Sequence, residues 1–290
     1  MPEWLLVDGS SMIFRAFYAI PQTTRAPDGT LVNAMRGFLD SLARYVTERR
    51  PRQVAVTTDE DWRPDWRVEL IPSYKEHRTA EPVPPALEPQ MPIIMECLEA
   101  IGVDAVGLPD YEAEDIIASL VAKVTPPVEI VSGDRDLFSL IRDREIIVLY
   151  PEKGGIAVVD EAEVERRYSI PGRAYADFAM LRGDPSDGLP GLAGVGAKKA
   201  ADLVRKYGSV AAMLEAGVFR SSDAEYLEKV QRLVPPVTDL KIEVPRGRRD
   251  RYPEDPARVE DLGRRYGVAS SIERLVKALA SMPPADVTKA

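Results

Sequence analysis

Four short apolar runs, rich in β-branched residues, most constrain how this chain can fold. They read WLLV at 4–7, QVAVTT at 53–58, VEIVS at 128–132 and IIVLY at 146–150, and helical patterns separate the first three. Short strands that alternate with helices are typical of a mostly parallel sheet. Because parallel crossovers pack helices against such a sheet, we predict an α/β fold with a mostly parallel central sheet flanked by helices.

The chain is long enough for a large core and a second, smaller unit. It has 290 residues, and after about residue 208 it consists mainly of helical patterns such as DAEYLEKVQRLV and IERLVKALASM. We therefore expect an α/β core over residues 1–170 and a helical region over residues 171–290.

Aspartates follow three of the predicted strands: Asp8 after the first, Asp59 after the second and Asp134 after the third. Sites in open parallel sheets lie at the carboxyl ends of strands, so these side chains should converge. One such aspartate would mean little, because aspartate often ends a strand as a turn residue. Asp136 adds a fourth carboxylate, and strand-like alternation predicts that Arg135 points away from the other two.

Further acids lie in pairs that are three residues apart. In DYEAEDIIASLVAKV, Glu112 and Asp115 should share one face of the first helical turn, and Glu114 should point elsewhere. The alternative is that these acids only interact favourably with the positive end of the helix dipole. Asp184 and Asp187 form a second pair in GDPSDG. The candidate acids are Asp8, Asp59, Glu112, Glu114, Asp115, Asp134, Asp136, Asp184 and Asp187.

Composition restricts which cofactor these acids can hold. The chain has one cysteine and one histidine, so any metal must be held by oxygen, which favours magnesium, manganese or calcium over zinc. The nine acids carry nine negative charges, which is as many as the net charge of −9 for the whole chain. Carboxylates this close repel one another unless cations lie among them. Two or three divalent ions would make the cleft attract phosphate, which predicts metal-dependent hydrolysis of a phosphodiester.

Two stretches suit contact with nucleic acid. Between Asp59 and Pro85, aromatic and basic side chains interleave, as in proteins that stack single-stranded bases, although such aromatics also anchor loops to a core. In PGLAGVGAKKA, glycines precede a helix that opens with two lysines, which predicts a phosphate cradle; an ordinary glycine-rich turn is the alternative. The cradle residues are Gly194, Gly196, Lys198 and Lys199.

Six ordered motifs resemble one known family. They are LLVDGSSMIFRAFYA, TTDEDWR, PSYKEHR, DYEAEDIIASL, SGDRDLFSL and GDPSDGLPGLAGVGAKKA, and they extend from about residue 4 to at least 240. The chain resembles the 5′ nucleases, the flap endonuclease and 5′ to 3′ exonuclease group that includes the amino-terminal domain of bacterial DNA polymerase I. This resemblance implies a structure-specific nuclease that acts on DNA in replication, including primer removal from Okazaki fragments, and in repair.

The resemblance also implies metal ligands and cofactors. Two or three Mg²⁺ or Mn²⁺ ions are expected. The first cluster would comprise Asp8, Asp59, Glu112 and Glu114. The second would comprise Asp115, Asp134, Asp136, Asp184 and Asp187. Glu114 stands where the family commonly has aspartate, and Gly188 where asparagine is usual.

Similar proteins further suggest which residues meet the substrate. Arg15, Lys75 and Arg78 match basic residues at the cleaved phosphate, and Tyr74 matches an aromatic beside the threaded strand. The interleaved aromatic and basic segment itself adds Arg67 as an expected nucleic-acid contact. Residues of about 60–88 would form an arch or clamp. Residues of about 189–206 would form a helix-hairpin-helix that grips the duplex, often with a bound potassium ion.

The expected partners are DNA with 5′ flaps, ends or nicks and RNA-DNA primers. No secretory signal or membrane-length apolar run occurs, so a cytoplasmic location without a membrane partner is expected. The protein is also expected to be a monomer. We expect a stand-alone nuclease because no polymerase region follows residue 290 in this sequence, and a fragment of a longer polymerase is the alternative.

Two alternatives belong to other functional classes. An aspartate-nucleophile phosphatase also combines Asp-x-Asp with a later Gly-Asp-x-x-Asp, but its nucleophile usually belongs to the first strand, where Asp8 is followed by glycine. A structure-recognition protein that binds flaps without cutting them would keep the fold and lose metal ligands, whereas all nine acids are present.

Overall fold

The computed structural model describes residues 1–80 and 83–284. Within these residues, a six-stranded sheet has the order β3-β2-β1-β4-β5-β6. All neighbouring strands are parallel except β5 and β6, which are antiparallel. The strands are β1 (Trp4–Asp8), β2 (Gln53–Thr57), β3 (Asp104–Val106), β4 (Val128–Val131), β5 (Ile146–Glu152) and β6 (Gly155–Val159). The mostly parallel α/β prediction is confirmed, although β3 and β6 were not predicted.

Among the described residues, thirteen α-helices lie between and after these strands. In the first half they are α1 (Gly9–Ala19), α2 (Asn33–Arg49), α3 (Asp65–Leu70), α4 (His77–Ala80), α5 (Gln90–Ile101) and α6 (Ala113–Val121). In the second half they are α7 (Glu161–Tyr168), α8 (Tyr175–Arg182), α9 (Ala197–Tyr207), α10 (Val210–Glu215), α11 (Ser221–Val230), α12 (Pro256–Tyr266) and α13 (Ala269–Ala280). Short 3-10 helices occur at Asp136–Leu140, Gly172–Ala174 and Pro185–Asp187. Among the described residues, no helix is both long and apolar enough to cross a membrane.

Two hydrophobic cores cover the two faces of the sheet. Leu5 and Val7 of β1 face one core, which α1, α2, α5, α12 and α13 complete. Leu6 of β1 faces the other core, which contains side chains of α6 and of α7 to α11. Burial on both faces explains why β1 and β4 have no exposed position.

The carboxyl ends of three adjacent strands form the edge where the site lies. In the sheet order, β1 stands between β2 and β4. The order in which strands are added reverses there, because β1 to β3 extend to one edge of the sheet and β4 to β6 extend to the other. Such a reversal opens a crevice beyond the carboxyl ends of the strands. Asp8 pairs in register with Thr57, and Val7 pairs with both Val56 and Val131, so the residues that follow these strands reach the same crevice.

The two ends of the predicted helical region pack in different places. Helices α8 and α9 pack on each other and are joined by residues 183–196. By contrast, α13 packs on α2, and α12 packs on α5. The last two helices therefore cover the α/β core rather than extend the helical region of 171–290.

The predicted arch segment of about 60–88 contains α3 and α4, but Glu81 and Pro82 lie outside the described residues.

Candidate metal centre

Three carboxylates lie close enough together to hold one cation. Oxygen atoms of Glu114, Asp134 and Asp136 all lie within 4.8 Å of one another. Glu114 belongs to the first turn of α6, Asp134 follows β4, and Asp136 begins the next 3-10 helix. Three hard oxygen ligands at this separation suit magnesium or manganese.

Glu114 therefore faces the other acids, contrary to the prediction from a helical wheel. The wheel placed Glu112 within the helix, but Glu112 is the N-cap, with an extended backbone at φ −93° and ψ 160°. Helical spacing does not apply across such a residue. Glu112 and Asp115 instead form a capping box, in which each side chain accepts a hydrogen bond from the backbone of the other.

Asp8 and Asp59 lie at the ends of β1 and β2, beside this group. The Asp8 carboxylate accepts hydrogen bonds from the backbone N–H of Ser11 at 2.9 Å and the hydroxyl of Ser132 at 2.5 Å. Burial, followed by repulsion from Asp59, raises the pKa of Asp8 to about 7. Burial and the charge of Glu112 likewise raise the pKa of Asp59 to about 6.

Two protein cations lie among the acids. The Arg67 side chain has no exposed surface, and its Nη2 lies 2.8 Å from Asp115 Oδ1 and 3.3 Å from Glu114 Oε1. Arg67 Nη1 and Lys75 Nζ both pair with the carboxylate of Glu112. Although burial acts to raise the pKa of Glu112, these two cations lower it. Glu112 is thus charged and paired without any metal.

The structure corrects the expected surroundings of two residues predicted to contact nucleic acid. Arg67 is fully buried, and Tyr74 is 1% exposed, with its hydroxyl donating to Glu112 Oε2 at 2.5 Å. Arg67 reaches Glu112 and Asp115 from α3, and Tyr74 reaches Glu112 from the segment that follows α3. The sequence carries no periodic signal for these contacts.

Asp184 and Asp187 complete the set on the side of the helical region. Asp184 Oδ1 accepts hydrogen bonds from Ser186, and its Oδ2 lies 3.2 Å from Arg135 Nη2. Burial is the largest cause that raises the pKa of Asp187 to about 6; Lys75, 3.9 Å away, opposes this effect, and the charge of Asp134 adds to it.

Strand-like alternation predicted that Arg135 points away from the acids, and this prediction is wrong. Strand β4 ends at Val131, and Arg135 has a helical backbone at φ −83° and ψ −18°. Alternation does not extend beyond a strand, so the guanidinium is free to pair with Asp184.

The charge balance of the centre fits a divalent cation. Burial and the charge of Asp134 raise the pKa values of Glu114 and Asp136 well above their ordinary range. Arg67 and Lys75 pair with Glu112, and Arg67 also pairs with Asp115 and Glu114, but among the described residues no ion pair is formed by Asp134 or Asp136. An oxygen-only group without sufficient positive charge is the chemistry of a magnesium or manganese site.

The remaining predicted substrate contacts lie around the same edge. Arg15 is on α1, where its Nη2 donates to the carbonyl oxygen of Pro151 at 3.0 Å. Arg78 is half-buried on α4, and its charge acts on the Asp59 carboxyl.

The predicted phosphate cradle lies at the start of α9. Gly194 has φ +72°, and Gly196 is the N-cap, with no side-chain hydrogen bond at the cap. Lys198 and Lys199 are exposed in the first turn. The arrangement leaves backbone N–H groups and two cations on one open surface.

Comparison with known proteins connects this geometry to a family. The sequence profile of the 5′-3′ exonuclease N-terminal resolvase-like domain matches residues 3–169, and that of the 5′-3′ exonuclease C-terminal SAM fold matches residues 170–244. The chain belongs to the 5′-3′ exonuclease family. The N-terminal match contains seven of the nine acids, and the C-terminal match contains Asp184, Asp187 and the predicted cradle.

Curated relatives extend over nearly the whole chain. A 5′-3′ exonuclease of Streptomyces coelicolor is 42% identical and covers 96% of this chain and 100% of its own. A 5′-3′ exonuclease of Mycobacterium tuberculosis is also 42% identical, with coverage of 96% and 98%. The DNA polymerase I of Thermus thermophilus is 36% identical over 73% of this chain, which corresponds to 25% of the polymerase.

Solved structures share the fold at low sequence identity. A bacteriophage T5 flap endonuclease, determined with DNA and metal ions, gives a TM-score of 0.66 at 16% identity and covers 96% of this chain and 98% of its own. Flap endonuclease-1 from Methanococcus jannaschii gives 0.62 at 16% identity, with coverage of 97% and 94%.

Proposed function

We propose that this protein is a divalent-metal-dependent, structure-specific 5′ nuclease with 5′-3′ exonuclease and flap endonuclease activity. The observation that carries the proposal is the group of Glu114, Asp134 and Asp136, whose oxygens lie within 4.8 Å at the sheet edge of a chain from this family. The substrates would be DNA with 5′ flaps, ends or nicks, and RNA-DNA primers. The corresponding roles are Okazaki-fragment processing and DNA repair.

The nine acids would hold the metal ions, six of them as ligands and three through their neighbours. Glu114, Asp134 and Asp136 have the closest oxygens and would bind the first ion directly. Asp8 and Asp187 are buried and Asp59 is half-buried, and all three carboxyls have raised pKa values and would also gain from a cation. Glu112, Asp115 and Asp184 already have protein partners and would act by holding neighbouring groups. When bound, Mg²⁺ or Mn²⁺ would supply charge for the scissile phosphate and lower the pKa of an attacking water.

Three cations would act on the scissile phosphate. Lys75 lies among the carboxylates, while Arg15 and Arg78 lie on helices at their rim. We assign these three to the orientation and charge stabilisation of the phosphate. Arg67 would instead be a positioning residue, because its guanidinium contacts acids and has no exposed surface.

The helical region would hold the duplex away from the cut. Gly194, Gly196, Lys198 and Lys199 present N–H groups and positive charge at the start of α9, which suits one phosphate of the duplex. A potassium ion at the helix-hairpin-helix, a monomeric state and a cytoplasmic location complete the proposal.

The test is cleavage of 5′-labelled substrates by the purified chain. We expect products near the flap junction of a 5′-flap duplex, and short products from a nicked duplex, in Mg²⁺ or Mn²⁺ and not in a chelator. Release of phosphate from small phosphomonoesters without DNA cleavage would support a phosphatase instead. Tight flap binding without turnover in either metal would support a recognition protein.

A further inference from the structure

The segment before α4 is docked onto the turn that carries Asp184 and Asp187. The Lys75 N–H donates to the carbonyl oxygen of Asp187 at 2.9 Å, and the Ser73 hydroxyl donates to the carbonyl oxygen of Gly188 at 2.9 Å. These two hydrogen bonds join parts of the chain that are more than a hundred residues apart in sequence. They place Lys75 beside both Glu112 and Asp187.

Gly188 makes this approach possible for two reasons. Its backbone has φ +69° and ψ 22°, in the left-handed region that glycine adopts without strain. A Cβ at Gly188 would also overlap the carbonyl oxygen of Ser73 and would lie 3.4 Å from the backbone nitrogen of Lys75. Both atoms are backbone, so no side-chain rotation would relieve the overlap.

Lys75 itself depends on the docking. It has φ +46°, a conformation that is costly for a residue with a side chain. Its side chain is also buried, at 3% exposure. Contacts with the rest of the protein must therefore offset both the cost of the left-handed backbone and the cost of burying the amine. The hydrogen bond from Lys75 N–H to Asp187 fixes the backbone from which the Nζ reaches the acids.

We propose that Gly188 is a positioning residue that docks Ser73–Lys75 onto the turn of Asp184 and Asp187 and so sets Lys75 among the acids. This inference rests on the proposed function for its catalytic consequence, but the docking itself does not. A side chain at position 188 would lift the segment and move Lys75 off the site. Misplacement by about 1 Å can cost about a hundredfold in rate, so position 188 would control turnover without touching the substrate.

The test compares Gly188→Ala with Gly188→Asn and with a matched control, Gly217→Ala. Gly217 has φ +63°, and a Cβ there would meet nothing within 4 Å, so its substitution adds the same left-handed strain without the overlap. Asparagine tolerates left-handed backbone better than alanine but still carries a Cβ. We expect kcat on a 5′-flap duplex to fall about 10- to 100-fold in both Gly188 variants, with KM within about twofold, and to stay unchanged in Gly217→Ala.

A second readout does not need nuclease activity. Mass spectrometry after brief labelling with an amine-reactive reagent should find Lys75 protected in the wild type, and labelled several-fold faster in both Gly188 variants. The exposed Lys198 serves as the internal standard. Ser73→Ala, which removes one docking hydrogen bond, should shift Lys75 labelling in the same direction by less and covers the case in which the Gly188 variants fail to fold.

The outcomes separate the two proposals. If the wild type cuts no substrate but Lys75 labelling rises in the Gly188 variants, the docking stands and the nuclease proposal fails. If the wild type cuts and Gly188→Asn matches it in both kcat and Lys75 protection, the overlap does not matter and the docking inference is overturned.

Discussion

Arg67 and Asp115 form an ion pair of 2.8 Å in which neither side chain has any exposed surface. Arg67 lies on α3, and Asp115 lies in the first turn of α6. Asp115 Oδ1 also accepts from the backbone N–H of Val237 at 2.9 Å, and its Oδ2 accepts from that of Glu112 at 3.2 Å. The pair thus joins the predicted arch, the metal ligands and the chain that leaves the helical region.

Removal of the Arg67 charge should destabilise the protein strongly. Arg67→Met would leave Asp115 as a buried acid without its cation and Glu112 with Lys75 alone, and such a loss typically costs about 3–5 kcal/mol. Urea unfolding in a chelator measures this free energy. Arg166→Ala is the control, because Arg166 is 69% exposed and pairs with Glu163 on a helix surface, where the loss should be below about 1 kcal/mol. Equal losses in the two variants would contradict the role of Arg67.

The metal-free protein should become less stable as pH rises through the neutral range. Burial and neighbouring charges raise the pKa of Asp8 to about 7 and those of Asp59 and Asp187 to about 6, from an ordinary value of 3.8. Between about pH 4 and about pH 7 the folded protein therefore holds protons that the unfolded chain has released, so stability falls as pH rises. Glu112 titrates in the opposite sense but below this window, because its pKa is lowered from 4.5.

Melting temperatures in a chelator, measured across this pH range, test the sign of the effect. Added Mg²⁺ should raise the melting temperature more at the alkaline end, where protons no longer compete for the carboxylates. Asp8→Asn should reduce the pH dependence because it removes the carboxyl with the highest of the three values. A melting temperature that rises from pH 5 to 8 without metal would contradict the assignment of these groups.

Lys75→Ala and Arg78→Ala should lower turnover far more than DNA binding. Groups that act on the scissile phosphate contribute mainly in the transition state, so kcat should fall by about a hundredfold while the Kd for a 5′-flap duplex changes little. Single-turnover cleavage and fluorescence anisotropy measure the two quantities. Lys229→Ala, an exposed lysine on α11, should change neither. Equal losses in rate and binding would show that both residues only bind DNA and would contradict their role at the scissile phosphate.

Lys198→Ala and Lys199→Ala should show the reverse pattern. Each lost phosphate contact should make the dependence of log K on log salt shallower by about one and weaken duplex binding, with the saturated rate nearly unchanged. Binding titrations at several salt concentrations provide the slope. Arg264→Ala on α12 is the control, since that exposed cation pairs with Asp261 and belongs to no predicted DNA contact. An unchanged slope in both lysine variants would contradict the proposal that these residues form a phosphate cradle.

The sequence is sufficient to predict where the acids meet. Aspartates after β1, β2 and β4 must lie at one edge because these strands are parallel neighbours, and that information is local to Asp8, Asp59 and Asp134. The hydrophobic pattern likewise predicts α2 and α6, whose apolar residues recur at helical spacing.

The partners of the acids could not be predicted in the same way. Arg67 and Tyr74 lie in a segment without periodicity, and their burial depends on contacts with α6 that no local pattern encodes. Arg135 was placed by the geometry of a strand that ends before it, and Glu114 was placed relative to Glu112, which is the N-cap of α6 and not part of the helix. In both cases the error arose at an element boundary, where regular spacing ends.

The most direct test of the central claim compares the wild type with Asp134→Ala on a 5′-flap duplex in Mg²⁺. Asp134 is half-exposed and lies within the closest carboxylate group, so its loss should impair metal binding more than folding. We predict cutting near the flap junction by the wild type, a rate lower by about a hundredfold or more in Asp134→Ala, and equal flap binding by both. Cutting by Asp134→Ala at the wild-type rate, or no cutting by either protein, would contradict the account.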